Sequence, residues 1–192
     1  MTVNIRKLAL SLALTGLAVG TSLILASPAQ AAYPALRVLA VHCVEETSEN
    51  GDDSPYYLVF AASPTNPNAT AFGKWGPGYL DNNVSTDEIH YPNATIISNV
   101  PSNWFLISIM LEEDDGNDLS ALELQNISNN MYNTYQAWFG NPFVTTQLRA
   151  TLWSMADDYT YNDDRVATAY HSPGSTVTYT GDGGQYRVRF GY

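Results

Sequence analysis

The sequence predicts an antiparallel β-sandwich of seven or eight strands with one inserted α-helix, and three observations support that prediction. Short apolar runs recur after residue 32, and clusters of Pro, Gly, Asn and Asp separate them, as is typical of strands and turns. The run 104–111 is almost wholly apolar, which predicts a central strand buried on both faces. In contrast, 119–139 repeats its apolar residues at helical spacing.

The predicted strands lie at 36–44, 56–62, 95–98, 104–111, 143–153, 165–170, 175–179 and 185–190. Pro, Asn and Gly dominate 63–83, which predicts a long loop or a loop with a short edge strand. Asp182-Gly183-Gly184 predicts the turn before the last strand. That strand alternates regularly, and its polar face would carry Gln185, Arg187 and Arg189.

The helix is predicted from apolar residues that recur three or four positions apart, namely Leu124, Ile127, Met131, Tyr135 and Trp138. Ser120 and Glu123 have the spacing of a capping box at its start. Gly140 supplies a residue type that commonly follows a helix end.

The first 31 residues read as a secretory signal peptide. Arg6 and Lys7 precede the apolar stretch 8–26, and Ala29-Gln30-Ala31 fits a small-x-small cleavage site. We therefore expect a mature domain over 32–192, exported to the extracellular space or the periplasm. No second apolar stretch is long enough to predict a transmembrane span after the signal peptide.

The mature chain would carry six basic and nineteen acidic side chains, a net charge of −13. Such a charge disfavours nucleic acid and favours cationic partners, which include metal ions and basic proteins. Cys43 is the single cysteine, so the sequence predicts no internal disulfide. We expect Cys43 to be a small buried residue, and the fold to be held by its core or by bound ions.

Three acidic bursts follow apolar runs and together hold fourteen of the nineteen carboxylates. They comprise Glu45, Glu46, Glu49, Asp52 and Asp53; Glu112, Glu113, Asp114, Asp115 and Asp118; and Asp157, Asp158, Asp163 and Asp164. If the loops converge, folding forces like charges together. Oxygen-rich loops of this kind suit Ca²⁺, which takes six to eight oxygen ligands.

Two other interpretations of the bursts remain open. Acidic loops also occur simply as solvated ends of a sandwich. The second burst could stabilise the dipole of the predicted helix, which explains Asp118 better than the acids before it. None of the bursts has the spacing of an EF-hand loop.

The third burst resembles the third calcium loop of C2-type β-sandwiches, in which an apolar strand runs into Asp-x-Asp and a later Asn-Asp pair. Asp158 matches the second Asp of that motif, and Asp163 or Asp164 the later one. Ala156 and Ala167 stand where the motif has Asp and Gly, although Asp157 is adjacent. The resemblance covers about the last 50 residues. It implies Ca²⁺ held between loops at one sheet edge, where it often docks a membrane or a partner.

The sequence thus predicts a secreted Ca²⁺-binding β-sandwich that binds a surface, a glycan or a protein partner. The candidate ligands are Asp157, Asp158, Asp163 and Asp164, then Asp114, Asp115 and Asp118, then Asp52 and Asp53. We expect a metal ion as the primary partner, and no catalytic residue is assigned.

Two alternatives belong to other classes of protein. A small hydrolase of glycosidase type could use paired carboxylates, with Glu112 or Glu113 as the acid. A carbohydrate-binding module with structural Ca²⁺ could stack sugars on loop aromatics, for which the candidates are Trp75, Tyr79, Tyr159 and Tyr161. The sequence contains no Gly-x-Ser-x-Gly elbow and no His-Glu-x-x-His motif.

Overall fold

The computed structural model describes residues 32–47, 54–76, 84–112, 119–160 and 163–192. Within these residues the chain forms nine strands and two helices. The strands are β1 (Leu36–Glu45), β2 (Pro55–Ser63), β3 (Asn66–Trp75), β4 (Ile89–His90), β5 (Ala94–Ile97), β6 (Phe105–Glu112), β7 (Asp164–His171), β8 (Thr176–Gly181) and β9 (Gly184–Gly191). The helices are α1 (Ala121–Trp138) and α2 (Val144–Tyr159).

The strands form two antiparallel sheets, which pack as a sandwich. One sheet has five strands in the order β4-β1-β9-β8, with β5 also paired to β1, and the other has the order β3-β2-β6-β7. Every pairing is antiparallel. The predicted fold class is confirmed, although two helices are present where the sequence analysis placed one.

A first core fills the space between the sheets. Alternate residues of β2 and β6 face it, including Tyr57, Val59 and Met110, and Tyr186 and Val188 of β9 face it from the other sheet. Period-two alternation produces this division, because successive side chains of a strand point to opposite faces. Cys43 of β1 belongs to this core and is fully buried, as predicted.

A second core lies on the outer face of the four-stranded sheet, where both helices pack. Leu58 and Ile109 face the helix residues Ile127, Met131 and Leu152 there. The two cores together bury every residue of β2 and β6. The prediction of a central strand buried on both faces is therefore confirmed for β6.

Helix α1 confirms the predicted helix and its start. Ser120 Oγ accepts a hydrogen bond from the Glu123 amide at 3.3 Å, and the Glu123 carboxylate accepts one from the Ser120 amide at 2.7 Å. This capping box satisfies backbone donors that the first turn leaves without intrahelical partners. The buried residues Ile127, Met131 and Tyr135 belong to the predicted apolar stripe.

The predicted strand over 143–153 is wrong, because that segment begins helix α2. Its buried residues are Leu148, Leu152 and Ala156, which recur every four positions and so line one helix face. In the sequence, Gln147, Arg149 and Thr151 alternate with Leu148, Ala150 and Leu152, which imitates the period-two pattern of a strand.

The region 63–83 contains more regular structure than a loop with a short edge strand. β3 runs for ten residues and pairs with β2 along its length. It is an edge strand, a position in which Pro67 and Gly73 are tolerated. No helix in the described part of the chain is long and apolar enough to cross a membrane.

The antiparallel order divides the sandwich into two ends. β1, β6 and β8 finish where β2, β7 and β9 begin, and we call this the acidic end, defined by Glu45, Ser54, Glu112, Asp164 and Asp182. At the opposite end lie Ser63, Phe105 and His171.

Candidate functional site

The register of the four-stranded sheet brings the flanks of all three acidic bursts to the acidic end. Pro55 pairs with Glu112 across β2 and β6, and Glu112 pairs with Asp164 across β6 and β7. In the other sheet, Glu45 at the end of β1 pairs with Gln185 at the start of β9. Strand ends that are far apart in the sequence are therefore neighbours in space.

Asp163 is the most buried carboxylate of the third burst, with 8% of its surface exposed. The Tyr56 hydroxyl donates a hydrogen bond to its Oδ2, and its backbone amide donates to the Thr160 carbonyl oxygen at 3.2 Å. The Lys74 ammonium lies 5.4 Å from the centroid of the Tyr56 ring. These contacts fix Asp163 at the junction of α2 and β7.

The side chains of Asp164 and Asp182 form a hydrogen-bonded carboxyl pair at the acidic end. Asp182 lies in the turn between β8 and β9 with φ of 49°. A side chain on Gly181 would collide with the Val166 carbonyl oxygen, so glycine allows this turn to approach β7. The hydrogen bond to Asp164, followed by partial burial and the Asp164 charge, raises the pKa of Asp182, so folding makes this carboxyl harder to ionise.

Asp157 is held by a cation that belongs to the same chain. It forms an ion pair with Arg165, and the Arg165 guanidinium lies 4.9 Å from the centroid of the Trp153 ring. The aromatic face and the carboxylate together orient the guanidinium. Asp158 is exposed and is not among the residues that line the pocket.

These side chains surround a pocket of about 320 Å³, which is lined by Trp153, Asp157, Thr160, Asp163, Asp164, Arg165 and Asp182. Four carboxylates and one guanidinium give it a net negative charge. Among the described residues, no three His, Cys, Asp or Glu side chains are grouped closely enough to hold a metal ion.

The structure brings together three of the predicted ligands, Asp157, Asp163 and Asp164. The predicted ligands Asp52, Asp53, Asp114, Asp115 and Asp118 lie outside the described residues. So do Glu113 and the aromatics Tyr79 and Tyr161.

The secondary structure that the C2 resemblance implied before Asp157 is wrong. The sequence analysis placed a strand before Asp157, but Asp157 and Asp158 occupy the last turn of α2. The position matched to the second Asp of the motif is therefore helical. The later match is closer, because Asp163 and Asp164 do lead directly into a strand.

Glu112 has a structural role at the edge of the pocket. It is 3% exposed, and its Oε1 accepts a hydrogen bond from the Ser54 amide at 2.8 Å. That bond joins the end of β6 to the start of β2. The side chain lies in the interior, where a glycosidic oxygen would have no access.

Of the described candidates for sugar stacking, Trp75 is buried and Tyr159 is half-buried. Trp75 is 1% exposed and stacks on Tyr57, with ring centroids 5.6 Å apart. Tyr159 packs against the second core, and its hydroxyl accepts a hydrogen bond from the Asn126 amide at 3.3 Å. Both rings are used to close the fold rather than to present a platform.

Ser108, His171 and Tyr179 form a buried polar group between the sheets. The Ser108 hydroxyl lies 2.9 Å from His171 Nε2 and 2.5 Å from the Tyr179 hydroxyl. Burial lowers the pKa of His171 to about 4, so its imidazole is neutral at neutral pH. Ser108 is fully buried, so this serine–histidine contact serves packing and has no room for a substrate.

The sequence analysis missed Arg165 and Asp182, which line the pocket, and Tyr56, which bonds Asp163. Asp182 was interpreted only as a turn residue. The sequence did predict the turn that contains Asp182. In the structure this turn lies beside the start of β7, where Asp164 is. The contacts themselves depend on strand order, which the sequence does not state.

No family model and no curated protein matches the chain. Among solved structures, it is similar to human GIVD cytosolic phospholipase A2, determined in complex with methyl gamma-linolenyl fluorophosphonate. The similarity has a TM-score of 0.30 and 12% identity, and covers 83% of this chain and 17% of the phospholipase chain. A likeness this distant supports no conclusion about activity.

Proposed function

We propose that this chain binds Ca²⁺ at its acidic end and that the ion-loaded end then binds a surface, a glycan or a protein partner. One observation carries the proposal, namely the adjacent register of Pro55, Glu112 and Asp164 in three neighbouring strands. Pro55 borders the first burst, and Glu112 and Asp164 belong to the second and third. Carboxylates from all three bursts thus have the same end of the sandwich available to them.

The described donors supply only part of a Ca²⁺ site. Asp157, Asp163, Asp164 and Asp182 line the pocket, but the first is paired with Arg165 and the second with Tyr56. Ca²⁺ needs about six to eight oxygens. The proposal therefore requires carboxylates from the first and second bursts as well.

Chain connectivity favours that contribution. Thr47 and Ser54 border the first burst's segment, and Glu112 and Leu119 border the second's. Ser54 and Glu112 belong to the acidic end, so each segment is joined to this end on at least one side.

A bound cation would stabilise the fold by neutralising the excess negative charge of the acidic end. Four carboxylates face one guanidinium in the pocket, and Asp182 is already harder to ionise because of Asp164. A divalent cation would remove that repulsion. A site occupied at a concentration 100 times its Kd contributes about 2.7 kcal/mol to stability, enough to raise the melting temperature by several degrees. If the chain is exported as predicted, a weak site suffices, since extracellular modules bind Ca²⁺ with Kd values of about 10⁻⁴–10⁻³ M.

Calorimetric titration of the purified protein with Ca²⁺ tests the proposal. We expect saturable binding that a chelator reverses, and we expect the variant Asp114→Asn/Asp115→Asn to lose it. Glu88→Gln is the matched control, because Glu88 bonds Ser85 and His90 rather than lining the pocket. Absence of binding heat in the unmodified protein, together with an unchanged melting temperature, would rule the proposal out.

The hydrolase alternative has less support. Of its two candidates, Glu112 is buried and bonded to the backbone of Ser54, and Glu113 lies outside the described residues. A general acid must reach the leaving oxygen of its substrate, and Glu112 has no such access.

A further inference from the structure

The basic residues of this acidic chain are divided between two environments. Six follow the predicted signal peptide. Three make contacts near the helices: Lys74 with the Tyr56 ring, Arg149 with Thr168, and Arg165 with Asp157. The other three, Arg37, Arg187 and Arg189, lie on the outer face of the five-stranded sheet.

The outer positions of β1, β8 and β9 form what we call the arginine face, defined by Arg37, Arg187, Arg189, Thr176 and Thr178. Cross-strand pairing sets Arg187 beside Thr178 and Arg189 beside Thr176. Arg187 and Arg189 are two residues apart, so they project about 7 Å apart along the strand. Arg37 pairs with Gly191, the next outward position of β9. The backbone positions of the three arginines thus follow one oblique row, in which the Leu39 side chain covers Gly191.

Carboxylates are nearly absent from this face. β1, β8 and β9 contain a single acid, Glu45, at the acidic end of β1. Within the described residues, Arg37, Arg187 and Arg189 have no ion pair. Arg37 Nε is also buried without a hydrogen-bond partner there. In a chain with nineteen acids, the exposed Arg187 and Arg189, with the half-buried Arg37 beyond them, leave positive charge on this face that an external anion could pair with.

We propose that the arginine face binds a linear anionic polysaccharide. Its carboxylate or sulfate groups would pair with the row of guanidiniums, and Thr176 and Thr178 would bond the sugar hydroxyls. Guanidinium is suited to this role because its planar donors match oxyanions in pairs. Arg187, Arg189, Thr176 and Thr178 are exposed on a sheet face, and such a face fits an extended polymer better than a compact ligand.

Other anionic macromolecules fit this face less well. Duplex DNA carries one negative charge per about 1.7 Å and would meet strong repulsion from the acidic remainder of the chain. A polysaccharide with one charge for each sugar or each pair of sugars is less densely charged. The arginine face itself contains no exposed aromatic side chain, and the exposed Tyr33, Tyr91 and Tyr192 lie just outside the strands of its sheet. Attachment to a lipid surface or a protein commonly uses aromatic anchors within the contact surface.

Affinity electrophoresis of the purified protein in gels that contain polygalacturonate, dextran sulfate or neutral dextran tests this proposal. We expect retardation by one or both anionic polymers and none by dextran. Arg187→Gln/Arg189→Gln should weaken that binding by about tenfold or more and flatten its salt dependence, because two charge-assisted contacts are lost. Retardation by polygalacturonate alone would assign the face to carboxylated polymers, and retardation by dextran sulfate alone to sulfated ones.

The matched control is Lys74→Gln/Arg149→Gln, which changes the net charge equally but leaves the arginine face intact. It should bind the polymer as the unmodified protein does. Equal losses in both double variants would mean that net charge alone matters, and would overturn the proposal. So would absence of retardation, or binding to vesicles of phosphatidylcholine and phosphatidylserine without any binding to polysaccharide. Arg187 and Arg189 are exposed, so circular dichroism should show Arg187→Gln/Arg189→Gln folded. The same measurement checks the fold of the control, in which half-buried Lys74 contacts the Tyr56 ring.

Discussion

The two ends of the sandwich are stabilised by different interactions. At the opposite end, Tyr135 is 1% exposed, contacts the rings of Phe60, Phe105 and Phe139, and donates a hydrogen bond to the Ser63 carbonyl oxygen. At the acidic end, carboxylates face one another and one guanidinium. At the opposite end the Tyr135 hydroxyl is hydrogen-bonded within the chain. The acidic end instead keeps negative charge that an external cation could neutralise.

The contrast extends to the response of each end to pH. At the opposite end, His171 is buried as a neutral base, so acid must protonate it against the cost of burial. At the acidic end, the hydrogen bond to Asp164 raises the pKa of Asp182, so protonation of Asp182 stabilises the folded state. Acidification should therefore weaken one end of the molecule and relieve the other.

The largest effect is expected from His171. Its folded pKa is about 4 against an ordinary 6.5, so the unfolded chain binds a proton more readily between those values. The stability that depends on neutral His171 is complete above about pH 6.5 and is lost as pH falls to about 4, a change of roughly 3 kcal/mol. Urea unfolding of His171→Gln across this range should show a smaller fall than that of the unmodified protein.

Tyr179→Phe is the control for that measurement. It removes a hydroxyl from the same buried group without adding or removing a titration in this pH range. We expect it to lower stability by a similar amount at every pH, about 1 kcal/mol. A His171→Gln variant whose pH dependence equals that of the unmodified protein would contradict the account of the opposite end.

Protonation of Asp182 should have a smaller effect on stability than that of His171, and of opposite sign. Its folded pKa is raised, chiefly by the hydrogen bond to Asp164, so the stability linked to its protonated form is lost as pH rises through that value. Asn keeps a donor for Asp164 and tolerates the left-handed φ of 49°. Asp182→Asn should thus raise the melting temperature at neutral pH without Ca²⁺. The gain should disappear in acid, and a lower melting temperature at neutral pH would contradict it.

The sequence predicted what local signals encode. Helix α1 has an apolar stripe and the Ser120–Glu123 capping box within one segment. Helix α2 has neither signal in clear form, since its N-cap Phe143 makes no side-chain cap bond and Thr residues occupy its first turn. β3 was missed as a long strand because Pro67 and Gly73 are typical of loops, and only its edge position permits them.

The part of the site that local sequence encodes was also predictable. The runs of Asp residues are visible in the sequence, and Asp157, Asp163 and Asp164 do line one pocket. Their partners Tyr56, Arg165 and Asp182 are recognisable only after the strands pair, because a shift of one residue would send each side chain to the other face. The meeting of the three bursts is likewise a property of strand order.

A double-mutant cycle on Ca²⁺ affinity tests most directly whether the acidic bursts share one site. Asp114→Asn removes a carboxylate of the second burst, Asp164→Asn one of the third, and titration calorimetry measures each variant and the pair. Groups that act on one ion are coupled, and the expected interaction energy is about 0.5–3 kcal/mol. Strictly additive losses, or unchanged affinity in both single variants, would show that the bursts do not cooperate in holding an ion.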